Sequence, residues 1–159
     1  MTTQKHALIS GGGSGLGNGL ATRLLKRGTA VSVLDLGINA DYEKALNDAA
    51  KHGNSKWHLF KIDITDSVLV KQAVTHAIST FGDIDLAINS AGIGVNKVAA
   101  DTSVEEFQRV ININLNGSFN FAHAVLPTMK PGARFALLAS LAGFIGNYGL
   151  LLIAPQSLA

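Results

Sequence analysis

Short apolar runs alternate along the chain with longer segments whose hydrophobic residues recur at helical spacing. The short runs, bounded by glycine or polar residues, predict buried strands, whereas the longer periodic segments predict amphipathic helices. The predicted strands cover 7–9, 30–35, 56–63, 86–89 and 134–139. The predicted helices cover 16–26, 41–52, 67–81 and 103–126, and Pro127 marks the end of the last one.

This alternation of strands and helices predicts the fold class. Strands joined by helices of this length form a parallel sheet, because each right-handed crossover returns the chain to the same edge. With 159 residues, of which 47% are hydrophobic, the chain has the length of one domain with a sizeable core. We therefore expect an α/β protein with a doubly wound parallel sheet, in a single domain over 1–159.

A glycine-rich segment, Ser10–Gly17, separates the first predicted strand from the first predicted helix. Glycines at this junction leave backbone N–H groups uncovered at a helix N-terminus, where a pyrophosphate can approach them. The glycines Gly11, Gly15 and Gly17 have the spacing G-x-x-x-G-x-G, and the common dinucleotide fingerprint G-x-G-x-x-G fits no register here. A flexible glycine loop is the alternative, but the position between strand and helix favours nucleotide binding.

Asp35 ends the second predicted strand and lies 18 residues after Gly17. A carboxylate at this place can accept both hydroxyl groups of an adenosine ribose, whereas it repels a 2′-phosphate. No basic residue stands beside Asp35 in the sequence to compensate that repulsion. The pattern favours NAD over NADP as the cofactor, with a solvated acid at a strand end as the alternative.

Composition excludes several other function classes. Thirteen basic and eleven acidic residues give a formal charge of +2, and the basic residues are scattered, so we expect no nucleic-acid partner. The absence of cysteine excludes disulfides and thiolate metal sites, and the five histidines lack metal-ligand spacing, so we expect no metal.

The ends of the sequence bear on localisation. The N-terminus enters a predicted strand too early for a signal peptide, which favours a cytoplasmic protein. The stretch 135–159 carries no charge, but glycines, Pro155 and Gln156 interrupt it, and it begins as a strand should. We therefore expect no membrane partner.

Five short motifs occur in order along the chain, four of them at or directly after the ends of predicted strands and one inside the last helix. They are Ser10–Gly17, Asp63-Ile64, Asn89-Ser90-Ala91-Gly92, Asn112–Gly117 and Ser140-Leu141-Ala142-Gly143. Together they resemble the short-chain dehydrogenase/reductase family, with Ser10 for the Thr of its T-G-x-x-x-G-x-G motif and Ser90 for the second Asn of its N-N-A-G motif. The resemblance extends over 5–149 and implies a Rossmann-like sheet that is incomplete at its C-terminal edge.

The resemblance also assigns residues to roles. Asn114 and Ser140 fall at the family's active-site asparagine and substrate-orienting serine. Asparagine is a poor helix former, so Asn114 indicates a local role such as holding a water at a backbone kink. Ser140 could donate a hydrogen bond to a carbonyl oxygen, or serve only as a turn residue. The implied cofactor-binding residues are Ser10, Gly11, Gly13, Ser14, Gly15, Leu16, Gly17, Asp35, Leu36, Asp63, Ile64, Asn89, Ser90, Ala91 and Gly92.

The reaction that the resemblance implies is hydride transfer between a nicotinamide cofactor, NAD or NADP, and a small-molecule alcohol or ketone. Relatives commonly form homo-oligomers. The family uses a Y-x-x-x-K pair, whose positions would be Ile153 and Ser157 here, and Tyr148 is followed four residues later by Leu152. Two classes therefore stay open: an oxidoreductase represented by an incomplete chain, and a non-catalytic NAD-binding module. A nucleotide-using transferase on the same fold is a third reading, which the asparagine and serine motifs disfavour.

The C-terminal residues 151–159 suggest a hypothesis about the gene. Codons chosen for these residues can be read in a shifted frame as Pro-Tyr-Ser-Ala-Ser-Lys-Phe-Gly, which contains Y-x-x-x-K at the places of Ile153 and Ser157. The amino acids allow this reading without requiring it. We therefore expect a frame-shifted tail, which the nucleotide sequence tests directly.

Overall fold

A computed structural model describes residues 4–140, and it contains one five-stranded parallel sheet flanked by helices. The strands are β1 His6–Ser10, β2 Ala30–Asp35, β3 Trp57–Lys61, β4 Leu86–Asn89 and β5 Arg134–Leu137. The helices are α1 Gly15–Lys26, α2 Ala40–Gly53, α3 Ser67–Phe81, α4 Val104–Ile111 and α5 Gly117–Val125. The predicted doubly wound α/β fold is confirmed.

The strand order is β3-β2-β1-β4-β5, so the central strand is the first one in the sequence. From β1 the chain builds the sheet outward through β2 and β3, and then returns to the other side of β1 with β4 and β5. Beyond their carboxyl ends, the chain therefore leaves β1 toward β2 on one side and leaves β4 toward β5 on the other side. Open α/β sheets bind ligands in the crevice that forms at such a point.

Two hydrophobic clusters cover the two faces of the sheet. Alternate side chains of β1 point to opposite faces, so that Leu8 packs with α3 and α5 while Ala7 and Ile9 pack with α1 and α2. The cluster under α3 and α5 includes Phe121, which is fully buried. Because both faces are covered, the three central residues of β1 are all hydrophobic, and the strand is buried throughout.

The segment predicted as one helix over 103–126 contains an interruption. A capping box between Ser103 and Glu106 starts α4, but a π-helical turn at Asn112–Asn116 separates α4 from α5. The backbone N–H of Gly117 donates to the carbonyl of Asn112, five residues earlier, which marks the wider turn. Pro127 lies in a short 3₁₀ turn, Leu126–Thr128, that follows α5. Among residues 4–140, no helix has the length and apolar character needed to cross a bilayer.

His6 is a fully buried titratable residue at the start of β1. Its Nδ1 lies 2.9 Å from the carbonyl oxygen of Gly82, and its Nε2 lies 2.9 Å from Oγ of Ser32. A carbonyl only accepts, so Nδ1 carries the proton and Nε2 accepts from the serine hydroxyl. Burial lowers the pKa of His6 below its usual 6.5, although the Gly82 hydrogen bond and the Asp85 carboxylate act in the opposite direction.

We expect the free energy of unfolding to depend on pH through His6. The unfolded chain takes up a proton near pH 6.5, whereas the folded chain does so only at lower pH. The free energy of unfolding therefore loses nothing through His6 above pH 6.5. It falls as the pH is lowered from there through the pKa of His6 in the folded chain, by at most about 1.4 kcal/mol per pH unit. Urea unfolding of the wild type and of His6→Asn between pH 5 and 7 measures this slope. An equal slope in both proteins would contradict the prediction.

Candidate nucleotide-binding site

A cleft of about 430 Å³ opens at the carboxyl ends of the central strands. Twelve of the predicted cofactor-binding residues line it, from four separate segments of the sequence. They are Gly11, Ser14, Gly15, Leu16, Gly17, Asp35, Leu36, Asp63, Ile64, Ser90, Ala91 and Gly92. The fold thus brings together residues that the sequence places up to about eighty positions apart.

The glycine loop after β1 packs closely against the turn after β4. Gly11 has a φ of +69°, and a Cβ there would lie 2.5 Å from the backbone nitrogen of Ala91. A Cβ at Gly17 would lie 2.2 Å from the carbonyl oxygen of Gly11 and 2.3 Å from Oγ of Ser90. Side chains at these two positions would therefore force the loops apart. The glycines keep the wall of the cleft thin where backbone groups face the ligand space.

The N-terminus of α1 is left open to an anion. Its N-cap residue Ser14 makes no side-chain hydrogen bond to the helix, and its first turn contains no acidic residue. The helices α2, α3 and α4 are instead capped by the side chains of Asn39, Asp66 and Ser103. Because the first N–H groups of a helix lack partners within the helix and carry partial positive charge, α1 offers them to the cleft. A Cβ built on Gly15 would meet no atom within 4 Å, so the space before α1 is open.

Asp35 is half-buried at the end of β2 and holds two backbone amides. Its Oδ2 accepts from the N–H of Gly13 at 2.9 Å, and its Oδ1 accepts a longer hydrogen bond of 3.4 Å from the N–H of Gly37. Each carboxylate oxygen has a further lone pair, so both can still accept a hydroxyl group from a ligand. Gly13 itself does not line the cleft, but its backbone N–H orients the Asp35 carboxylate, which does.

Ser10 and Asn89 lie behind the cleft wall rather than on it. The hydroxyl of Ser10 donates to Oδ1 of Asn89, and both residues are buried. Oγ of Ser90 donates to the carbonyl of Ser10 at 2.7 Å, and the backbone N–H of Ser90 reaches the same oxygen at 3.0 Å. These bonds tie the loop after β1 to the turn after β4.

The Asp63-Ile64 motif forms a small, internally bonded turn. Oδ1 of Asp63 accepts from the backbone N–H of Thr65 at 2.9 Å and from its hydroxyl at 2.8 Å. Ile64 is buried, and its carbonyl accepts from Nδ2 of Asn120 at 3.1 Å. The turn after β3 is thus anchored to α5, and Asp63 remains exposed at the edge of the cleft.

Asn114 lies in the π-helical turn and is 2% exposed. Its Oδ1 accepts from the backbone N–H of Ile93 and its Nδ2 donates to the carbonyl of Ile93, each at 2.8 Å. The predicted backbone kink is therefore present, and the side chain holds the segment after β4 there. Ser140 is exposed beyond the end of β5, and the rest of its motif, 141–143, lies outside the described residues. So do the predicted positions of the Y-x-x-x-K pair, Ile153 and Ser157.

Five further residues line the cleft that the sequence pattern did not indicate. They are Leu34, Ile62, Ile93, Arg109 and Ile113. Arg109 and Ile113 are four residues apart and so share one side of the helical segment, but neither of them directly follows a strand. Arg109 adds a positive charge to a cleft whose described acids are Asp35 and Asp63.

A second cavity, of about 700 Å³, lies between α3 and α5. It is larger than the cleft at the strand ends, but none of the predicted site residues lines it. The smaller cleft is the candidate nucleotide site, because only there do the described residues combine an open helix N-terminus with a strand-end carboxylate.

Comparison with known proteins finds relatives along most of the chain. The family model described as short chain dehydrogenase matches residues 5–152. Cyclohexanol dehydrogenase of Acinetobacter sp. (strain SE19) is 37% identical, over 89% of this chain and 57% of its own length. The 2-dehydro-3-deoxy-L-rhamnonate dehydrogenase (NAD(+)) of Sphingomonas sp. (strain SKA58) is also 37% identical, over 89% and 55%. The chain thus spans between half and three-fifths of the length of these relatives.

Comparison with solved structures also finds dehydrogenases of similar fold. The structure of NAD⁺-bound xylitol dehydrogenase superposes with a TM-score of 0.83 at 28% sequence identity. The superposition covers 93% of this chain and 57% of that chain.

Proposed function

The chain belongs to the short-chain dehydrogenase family, and on that premise we propose that its cleft binds the adenosine and pyrophosphate parts of NAD. The amides at the start of α1 would hold the pyrophosphate, and Asp35 would accept the ribose hydroxyls. Ile64 and Ile113 would contact the adenine ring. The bound cofactor would accept a hydride in the oxidation of an alcohol, or supply one in the reduction of a ketone.

The observation that carries this proposal is the bonding of Asp35. Its carboxylate is fixed by the amides of Gly13 and Gly37, so it cannot easily rotate away from a ligand. A fixed carboxylate close to the ribose would disfavour a 2′-phosphate by about 1–3 kcal/mol, or roughly tenfold to a hundredfold in affinity. We therefore propose NAD as the cofactor in preference to NADP. The two relatives described above include one whose name specifies NAD(+).

The alternative, a module that binds NAD without turnover, rests on a specific observation. Among residues 4–140 the single tyrosine is Tyr42, which lies on α2, and it does not line the cleft. The described residues therefore support cofactor binding more strongly than proton transfer. Incubating the chain with NAD and a panel of alcohols separates the two: NADH formation supports the oxidoreductase, and binding without NADH formation supports the module.

Calorimetric titration with NAD and NADP tests the cofactor preference. We expect the wild type to bind NAD at least about tenfold more tightly than NADP, and Asp35→Asn to bring the two affinities together. Asparagine keeps one oxygen for the loop amides while removing the charge. Equal or tighter NADP binding by the wild type would overturn the preference. Arg109→Gln then identifies the cause, since loss of NADP affinity in that variant would assign the phosphate to Arg109.

A further inference from the structure

Ser118 carries a buried hydroxyl group in the first turn of α5. It is 7% exposed and does not line the cleft. Its Oγ lies 2.6 Å from Nδ2 of Asn89, at the end of β4, and it donates to the carbonyl of Asn114, in the π-helical turn. The hydroxyl therefore joins two segments that the sequence motifs treat separately.

The direction of each hydrogen bond in this group is determined by chemistry. The backbone N–H of Ala91 lies 3.3 Å from Oδ1 of Asn89, and an N–H only donates, so the amide oxygen faces Ala91 and Ser10. The amide nitrogen then faces Ser118 and donates to it. Since Oγ of Ser118 accepts from Asn89, its own proton is available for the carbonyl of Asn114.

The chain of bonds continues to the wall of the cleft. Asn114 holds both backbone groups of Ile93, and Ile93 lines the cleft. Ser10, Asn89, Ser118 and Asn114 thus form one connected path of buried polar groups from the end of β1 to that wall. Within the described residues, no buried side-chain nitrogen or oxygen lacks a partner, so the path is fully satisfied. A satisfied polar network of this kind specifies a single arrangement.

We propose that Ser118 is a positioning residue, which fixes the π-helical turn and through Asn114 sets the position of Ile93 in the cleft. Its importance for cofactor binding rests on the proposed function, whereas its effect on Ile93 does not. Removal of the hydroxyl takes away the acceptor of Asn89 Nδ2 and the hydrogen bond that Ser118 donates to the carbonyl of Asn114. The turn then becomes free to move, and Asn114 releases Ile93 without disturbing the sheet.

Residue-resolved amide hydrogen exchange of the 159-residue chain tests this proposal. We expect Ser118→Ala to accelerate exchange at Ile93 by about tenfold or more, while Leu8 and Ala87 in the central strands keep their rates. Ser118→Thr, which restores a hydroxyl, should return Ile93 to slow exchange. Asn116→Ala is the matched control, because it removes a polar side chain from the same turn that bonds only to exposed Asn112 among the described contacts.

The outcomes separate this proposal from the proposed function. Unchanged exchange at Ile93 in Ser118→Ala, or equal acceleration at Leu8 and Ala87, would overturn the positioning role. Ser118→Cys, which has a similar size but donates weakly, replaces the alanine variant if that one does not fold. NAD titration of the same variants should give a weaker affinity only where Ile93 exchanges faster. If the wild type binds no NAD, the proposed function fails, and the exchange at Ile93 still decides the role of Ser118.

Discussion

Gly17→Ala is expected to weaken NAD binding by about a hundredfold. The added Cβ would lie 2.2 Å from the carbonyl oxygen of Gly11, a backbone atom that cannot move without the loop. Overpacking of this kind costs about 1–3 kcal/mol, and the displaced amides at the start of α1 would no longer converge on the pyrophosphate. Calorimetric titration with NAD measures the change in affinity.

Gly19→Ala is the matched control for this substitution. Gly19 lies two residues further along α1, is exposed, and a Cβ there meets no atom within 4 Å. The same chemical change should leave NAD affinity unaltered and raise the free energy of unfolding by about 0.5–1 kcal/mol, because alanine favours the helix. Equal NAD affinities in the two variants would show that close packing against Gly11 does not shape the cleft.

Phe121→Ala is expected to lower the free energy of unfolding by about 3–5 kcal/mol. Phe121 is fully buried under the sheet, with its ring centroid 6.0 Å from that of Phe135. Truncation leaves a cavity that the surrounding side chains fill only in part. Because domains of this size are stable by about 5–15 kcal/mol, the variant should unfold at a much lower urea concentration.

Phe119→Ala provides the comparison on the same helix. Phe119 is 57% exposed, so its removal should change the free energy of unfolding by no more than about 0.5 kcal/mol. Urea midpoints of both variants, measured in one buffer, give the difference. Similar midpoints would mean that α5 does not pack against the sheet through Phe121.

The ends of the strands show what a local sequence pattern can predict. The bounds predicted for the second and fourth strands agree with β2 and β4, because both strands are apolar and internal. The third strand was expected over 56–63 but ends at Lys61, which pairs with Asp35, the last residue of β2. The fifth was expected to reach Ala139 but ends at Leu137, opposite Asn89 at the end of β4. Each of these two edge strands ends where its partner strand ends, and the hydrophobic pattern of the edge strand alone does not predict that position.

The long helix shows a second limit. Its periodicity continues through Asn114, so the sequence predicts one regular helix. The π-helical turn depends on partners elsewhere in the fold, among them Ile93, 21 residues earlier, which no local pattern identifies. Asparagine in the middle of a helix was the available sign of irregularity, and it indicated the correct place.

The candidate site was predictable in part because parallel strands bring their carboxyl ends together. Residues directly after strands therefore form the cleft, as expected. Arg109 was not anticipated, since it comes from a helix and belongs to no motif. Whether each of these residues contacts NAD stays a prediction.

The central position of β1 has a consequence for the growing chain during synthesis. β2 follows soon after β1 and can pair with one edge of it, but the other edge awaits β4, whose last residue is Asn89. At typical translation rates of about 5–20 residues per second, the interval between the two partners is roughly 3–11 s. Throughout that time an apolar strand presents an unpaired edge, to which another chain could add. This edge of β1 is therefore open to association while the chain is still being synthesised, before β4 pairs with it.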